Sequence, residues 1–320
     1  MSPQDGAPEF LPFHEDERAA QRLAGQSPGR AAIRPFMPEQ HRAFFAGLPY
    51  VFAAALDEHG WPIGTVLTGE PGFIRSPDPT TLRIEALPRG GDPALPGLTS
   101  NGEIGLLGLD FTNRRRNRVN GRSTAIDGGL TVHVGQSFGN CAQYIQTRTP
   151  SPRPSTPDRI EELSHLDEAS RLLIGASDTF FVASRSRDGI RTGGGLDMSH
   201  RGGRPGFVGV AGDRLTIPDF RGNRFYNTLG NLLGDPRAGL LFIDFGSGDL
   251  LQLQGRVTID WHAGAATAGA ERVWSVAIER AWRQRSAFPF SWTFGAFAPT
   301  TLATAPTTLA TAIADRPDET

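Results

Sequence analysis

Lysine is absent from this chain: all 32 basic residues are arginine. A Schiff-base mechanism and a lysine general base are thereby excluded, and an anionic group can be held only by guanidinium, backbone N–H or hydroxyl. Cysteine occurs once, as Cys141, which rules out an intrachain disulfide framework and any cysteine-rich zinc or iron–sulfur site. No apolar run approaches the roughly 18 residues that a membrane span needs. The opening residues, MSPQDGAPEFLPFHEDER, are acidic and polar rather than leader-like. Neither sign of charge is in excess; a formal net charge of −2 gives no field that would recruit nucleic acid or an anionic membrane. The expectation is a soluble, cytoplasmic protein with neither kind of partner. The histidines are scattered without a metal-ligand spacing, so no metal site is expected. There is no GxGxxG or Walker loop, and Gly193-Gly194-Gly195 lacks the lysine such a loop requires.

What is present is turn chemistry. With 39 glycines and 25 prolines, short apolar runs are punctuated by Gly, Asp-Gly and Gly-Asp, as in hairpins. The runs Val51–Leu56, Phe180–Ser184, Gly206–Val210, Arg214–Ile217, Gly239–Phe245 and Leu250–Ile259 read as strands. Helices are expected over Pro38–Ala46, Pro157–Ile174, Asn223–Leu233 and Ala270–Arg285. Strands in hairpins, rather than alternating with helices, argue against a doubly wound sheet.

The chain also repeats itself. Leu107–Arg122 (LGLDFTNRRRNRVNGR) aligns without gaps on Leu241–Arg256 (LFIDFGSGDLLQLQGR), an offset of 134 residues, and the same offset carries Pro71-Gly72-Phe73 onto Pro205-Gly206-Phe207. Tyr50–Gly60 resembles Thr179–Gly189 across a small indel. An internal duplication follows: an arm (1–35), a first unit (36–148), a Pro/Ser/Thr linker (149–157), a second unit (158–298) and a flexible tail (299–320).

Two segments concentrate chemistry. Asp197–Phe207 (DMSHRGGRPGF) supplies a hydroxyl, an imidazole, guanidiniums and unhindered glycine backbone. Ile217–Asn227 (IPDFRGNRFYN) reads as strand, turn and helix start, a place suited to phosphate, with Arg221 or Arg224 as clamp. A tight turn capped by Asn223, with solvated arginines, accounts for the same residues. In the basic run Arg114–Arg122, Arg116 and Arg118 share one face of a strand and suit an anionic ligand, a solvated strand being the alternative to contact. Cys141 carries no mark of a nucleophile.

Taken together, SHRGG, PGFV, LTIPDFRGNR, DPRAGLLFIDF and QGR resemble the flavin-binding core of the pyridoxamine 5′-phosphate oxidase-like split β-barrels; FHEDERAAQR, MPEQHRAFF and FGNCAQYIQTR resemble a larger, two-unit branch of that family. The resemblance implies a mainly β fold with flanking helices, two tandem split barrels packed as a pseudo-dimer, and FMN between them. It places Asn223 and Arg224 at the phosphate, with Asp219 and Gly222 beside them, and puts Phe225 where many members have lysine. Ser199, His200 and Arg201 fall along the ribityl chain and ring edge, completed by Arg116, Gln146 and Arg148 from the first unit. The implied activity is an FMN-dependent oxidoreductase acting on a small molecule, with His200 or Arg148 polarising the substrate. Electrons would come from NAD(P)H or a reductase partner, and homodimerisation of the whole chain is left open. A noncatalytic carrier or sensor holding flavin or haem is the alternative.

Overall fold

The structure, a computed structural model, describes residues 10–26, 31–155, 159–189, 193–263 and 269–304. Two antiparallel sheets dominate it. The first has seven strands in the order β2 (Pro62–Thr68), β1 (Tyr50–Leu56), β5 (Glu103–Asp110), β6 (Arg115–Ile126), β7 (Gly129–Gly139), β4 (Thr81–Ile84), β3 (Ile74–Asp78). The second has eight, counting a side branch. Its main path runs β11 (Leu196–Gly202), β10 (Thr179–Arg185), β14 (Arg237–Ile243), β15 (Leu250–Asp260), β16 (Ala270–Gln284), β13 (Arg214–Phe220), β12 (Gly209–Ala211), and β9 (Glu161–Leu163) pairs with β16. Raising every strand number of the first order by nine gives the second. Neither sheet closes: no pairing joins β2 to β3 or β11 to β12 among the described residues, so these are open sheets rather than closed barrels.

The correspondence extends to register. Leu106 pairs with Val119 and Leu240 with Leu253, both 134 residues on. Each long hairpin carries a bulge, at Asn120/Gly121 and at Gln254/Gly255. Gly72 and Gly206, the centres of the repeated Pro-Gly-Phe, both have positive φ (94° and 83°), which explains why the motif keeps its glycine.

The two sheets meet through matching surfaces. Phe52 of β1 stacks on Phe181 of β10, centroids 3.8 Å apart, in a buried apolar cluster drawn from both units. A Cβ at Gly105 would fall 2.8 Å from the Asp197 Cα, and one at Gly239 would fall 2.8 Å from the Ile63 Cα. Each glycine thus admits the partner sheet's edge strand to backbone distance. A third sheet pairs β17 (Phe290–Phe294) with β8 (Arg148–Pro152).

Several expectations need correction. Ala270–Arg285 is not a helix but the long strand β16, with Arg272, Trp274 and Val276 buried on one face in a period of two. Its β-branched and aromatic residues pack between β13 and β15, as suits a strand rather than a helix. The expected helix Pro157–Ile174 shortens to α4 (Glu168–Ala176), because Asp167 caps it by accepting from the Ser170 N–H and β9 occupies the preceding residues. The strand expected over Gly206–Val210 starts only at Gly209. The segment 149–157 begins as β8, and the tail begins as α6 (Pro299–Leu302), whose Thr301 is buried; 305–320 lie outside the described residues. In the arm, α1 (Glu15–Leu23) packs on α5 (Asn227–Gly234) of the second unit. The first unit contributes α2 (Glu39–Ala46) and α3 (Leu95–Thr99).

Candidate functional site

Between β6 of the first unit and β11 and β13 of the second lies a cleft of about 820 Å³, solvent at its mouth included. Strand alternation explains its deep wall. Arg116 and Arg118, two apart on β6, both face the second unit. Arg118 donates from one terminal nitrogen to both Asp197 oxygens (3.0 and 2.8 Å), a pair buried on both sides. Arg116 has no carboxylate; one of its terminal nitrogens lies 3.2 Å from His200 Nδ1 and its Nε has no partner. Burial, then Arg118 and Arg201, push the Arg116 guanidinium down to about 9, still a cation at neutral pH.

His200 is buried, and burial followed by Arg116, Arg201, Arg148 and Arg118 holds its imidazole well below the usual histidine range. A neutral ring that accepts at Nδ1 carries its proton on Nε2, and that nitrogen is also unpartnered. Beside it, Arg201 donates to one oxygen of Asp219 (2.9 Å), Arg272 donates to the other (2.7 Å), and the Arg201 Nε is free. The deep wall therefore presents hydrogen-bond donors, with its carboxylates already engaged by arginines. Leaving such donors buried and unmade costs about 1–3 kcal/mol each.

At the mouth, Gly222, Asn223 and Arg224 are exposed on the loop between β13 and α5. Among the described residues Arg224 has no hydrogen-bond or ion-pair partner, and its φ of 63° and that of Tyr226 (60°) turn the loop sharply. Asn223 donates to Asn140 Oδ1 (2.6 Å), tying the units together across the opening. It does not cap the helix: α5 starts four residues later, at Asn227, without a side-chain cap.

Of the expected site residues, Arg116, His200, Arg201, Asp219, Gly222, Asn223 and Arg224 line this cleft. Three do not. Ser199 lies behind the wall, bonded to Asp197 (2.9 Å) and Thr228 (2.6 Å). Gln146 is fully buried, donating to the Tyr144, Gly203 and Thr301 oxygens and accepting from the Ala298 N–H. Arg148 is paired with Asp178 (2.5 Å) and stacked over Phe245, outside the cleft lining. Residues not anticipated include Arg272, hidden by the helical reading of its strand, and Tyr144, stacked on Phe220 (centroids 5.4 Å). Tyr226, under the Arg272 guanidinium, and Glu17 were also missed. Glu17 accepts from Asn227 Nδ2 (2.5 Å) and from the His14 N–H (2.9 Å). The sequence signals for Glu17 were an acidic turn and its place in FHEDERAAQR, neither of which gave it a partner.

Among the described residues no group of three or more His, Cys, Asp or Glu could hold a metal, and no helix is long and apolar enough to cross a membrane. No family model and no curated protein matches the chain. Solved structures that are similar include a FAD-binding protein from Mesorhizobium loti, 15% identical over 39% of this chain and 97% of its own, with a TM-score of 0.27. A pyridoxinephosphate oxidase family protein from Clostridium acetobutylicum, related to a Bacillus subtilis general stress protein, is 14% identical over 39% of this chain and 92% of its own, with a TM-score of 0.27. The Group A Streptococcus protein HupZ is 13% identical over 36% of this chain and 90% of its own, with a TM-score of 0.28.

Proposed function

We propose that the cleft binds FMN and that the protein is an FMN-dependent oxidoreductase of the pyridoxamine-phosphate-oxidase-like type. The observation that carries this reading is the set of buried donors without acceptors: the Nε atoms of Arg116 and Arg201 and the Nε2 of His200. The residues present fit the group. Arg224, Asn223 and Gly222 at the mouth would take the phosphate, and Arg116, Arg201 and neutral His200 would meet the acceptor-rich edge of the ring. Arg116 would hold negative charge there, while Asp197 and Asp219 fix the neighbouring arginines in place. Tyr144 and Phe220 offer an aromatic wall that excludes water. A bound flavin supplies hydride or single-electron transfer, chemistry that needs no titrating side chain from the protein.

A second reading, a noncatalytic carrier or sensor, is favoured by one observation: the deep wall offers no free carboxylate, and its one imidazole is held neutral. Titration with FMN and riboflavin, followed by absorbance, tests the main proposal. FMN is expected to bind at least ~10-fold more tightly than riboflavin, the worth of one charge-assisted phosphate contact. Absence of flavin binding, or a Soret band in the purified protein, overturns it. Bleaching of the bound flavin by NAD(P)H and its reoxidation separate the enzyme from the carrier.

A further inference from the structure

The matched topology creates a second cleft position, related to the first by exchange of the two units. Aligned by strand register, Leu250 stands where Arg116 does, Gln252 where Arg118 does, and Val66 and Leu67 where His200 and Arg201 do. The loop before α3 takes the place of the loop before α5. The strand arginines of the first cleft, Arg116, Arg118 and Arg201, thus have neutral or apolar counterparts at the second.

A buried polar network also occupies the strand-lined part of the second position. From the loop before α3, Asp92 turns inward and is buried. It accepts from Thr65 Oγ1 (2.8 Å), Gln284 Nε2 (2.7 Å), Gln252 Nε2 (3.1 Å) and the Ala94 N–H (2.8 Å). Gln284 also donates to Gln252 Oε1 (2.6 Å), and Gln252 donates to the Gly64 carbonyl (2.8 Å). Thr65 and Asp92 belong to the first unit and the two glutamines to the second, so the network crosses between them. None of its members is left unpartnered, whereas the first cleft leaves several nitrogens unmade. Buried polar networks stabilise when complete and cost free energy when incomplete.

We infer that the chain carries one ligand site and one lock. The cleft at Arg116 and His200 binds the ligand, and its counterpart has been converted by Asp92, Thr65, Gln252 and Gln284 into a ligand-free joint between the units. The stoichiometry half of this inference rests on the FMN reading; the lock does not. Two measurements separate them. FMN titration of the full chain is expected to saturate at one FMN per chain, and two per chain overturns the inference; no binding sinks the FMN proposal and leaves the lock to the second measurement.

That measurement is the melting temperature of the ligand-free protein. Arg116→Leu, which installs the residue found at the locked position, removes a buried cation lacking an anion and is expected to raise it by about 2 °C or more. Asp92→Ala breaks a complete network and is expected to lower it by about 5 °C or more. Should Asp92→Ala fail to fold, Asp92→Asn is read instead, with a smaller drop of the same sign. A rise or no change at Asp92, or a fall with Arg116→Leu, overturns the assignment.

Discussion

At the scale of single residues, the arginines divide by what they find. Arg118 and Arg272 have carboxylates; Arg116 and Arg224 have none. Arg224→Ala is therefore expected to leave folding intact and weaken FMN binding roughly 10- to 150-fold, the loss of a charge-assisted contact of about 1.5–3 kcal/mol. Equal affinity in a flavin titration would remove Arg224 from the phosphate site. Glu17 behaves differently. Burial raises its carboxyl from 4.5 to about 8, against the Asn227 and His14 hydrogen bonds that pull it down. Because the folded state holds this proton and the unfolded state releases it, Glu17 contributes most below pH 4.5 and its contribution is lost as pH rises towards 8. The loss runs at up to ~1.4 kcal/mol per pH unit in that window. Glu17→Gln should flatten this part of the stability–pH profile, seen by urea denaturation at pH 5 and pH 8. An unchanged slope would show that Glu17 is ionised when folded. The guanidiniums were legible in the sequence because lysine is absent, which leaves arginine as the permanently cationic side chain able to hold an anion. Ser199 and Arg148 were not, since a motif gives residue types but not which face of a strand is turned inward.

Among the elements, hairpin punctuation was a good guide, and the long strand β16 was the chief miss. Strands β10, β13, β14 and β15 fall close to where Gly and Asp-Gly bound them, whereas β16 was read as a helix. Its buried face follows a period of two only near its start, and Ala281 to Gln284 are all buried, which blurs the alternation. The arm is the other lesson. Mixing charge, Gly and Pro, it reads as an arm or a short capping helix; it forms α1, which packs on α5 and braces the mouth of the cleft. Phe13 sits edge-on to Phe225 (centroids 5.5 Å), and Gln21 donates to the Phe225 carbonyl (3.1 Å). Gly230 makes that contact feasible, because a Cβ there would lie 2.6 Å from the Glu17 Cα. Gly230→Ala must push α1 outward; a destabilisation of about 1–3 kcal/mol is expected, together with weaker FMN binding through the Phe225 loop. If stability falls and affinity does not, α1 supports the fold without shaping the site.

For the whole molecule, the two sheets correspond in strand order, register and bulges, and the expected sequence repeat runs through the same strands. Unequal cleft positions were legible too, because SHRGG and GNR occur only in the second half; that the sheets remain open was not, because closure depends on contacts between distant segments. The cluster holding Phe52, Phe181, Met198 and Leu241 belongs to neither unit alone. Separation of the units would expose it to water, at about 25 cal/mol per Å² of apolar surface. Cutting the gene between Ser155 and Arg159 is thus expected to give two fragments that copurify when co-expressed and aggregate when made singly. A soluble, folded second fragment on its own would mean that the shared cluster is dispensable.

Asn223 reaching Asn140, and Arg116 reaching His200, join walls that belong to different units but to one backbone. A cleft shared by separate subunits comes apart on dilution and takes its ligand affinity with it, whereas here the second wall is always present at the effective concentration set by the connecting chain. The binding constant of this cleft should therefore be independent of protein concentration, and occupancy should follow the ligand alone even where the protein is scarce.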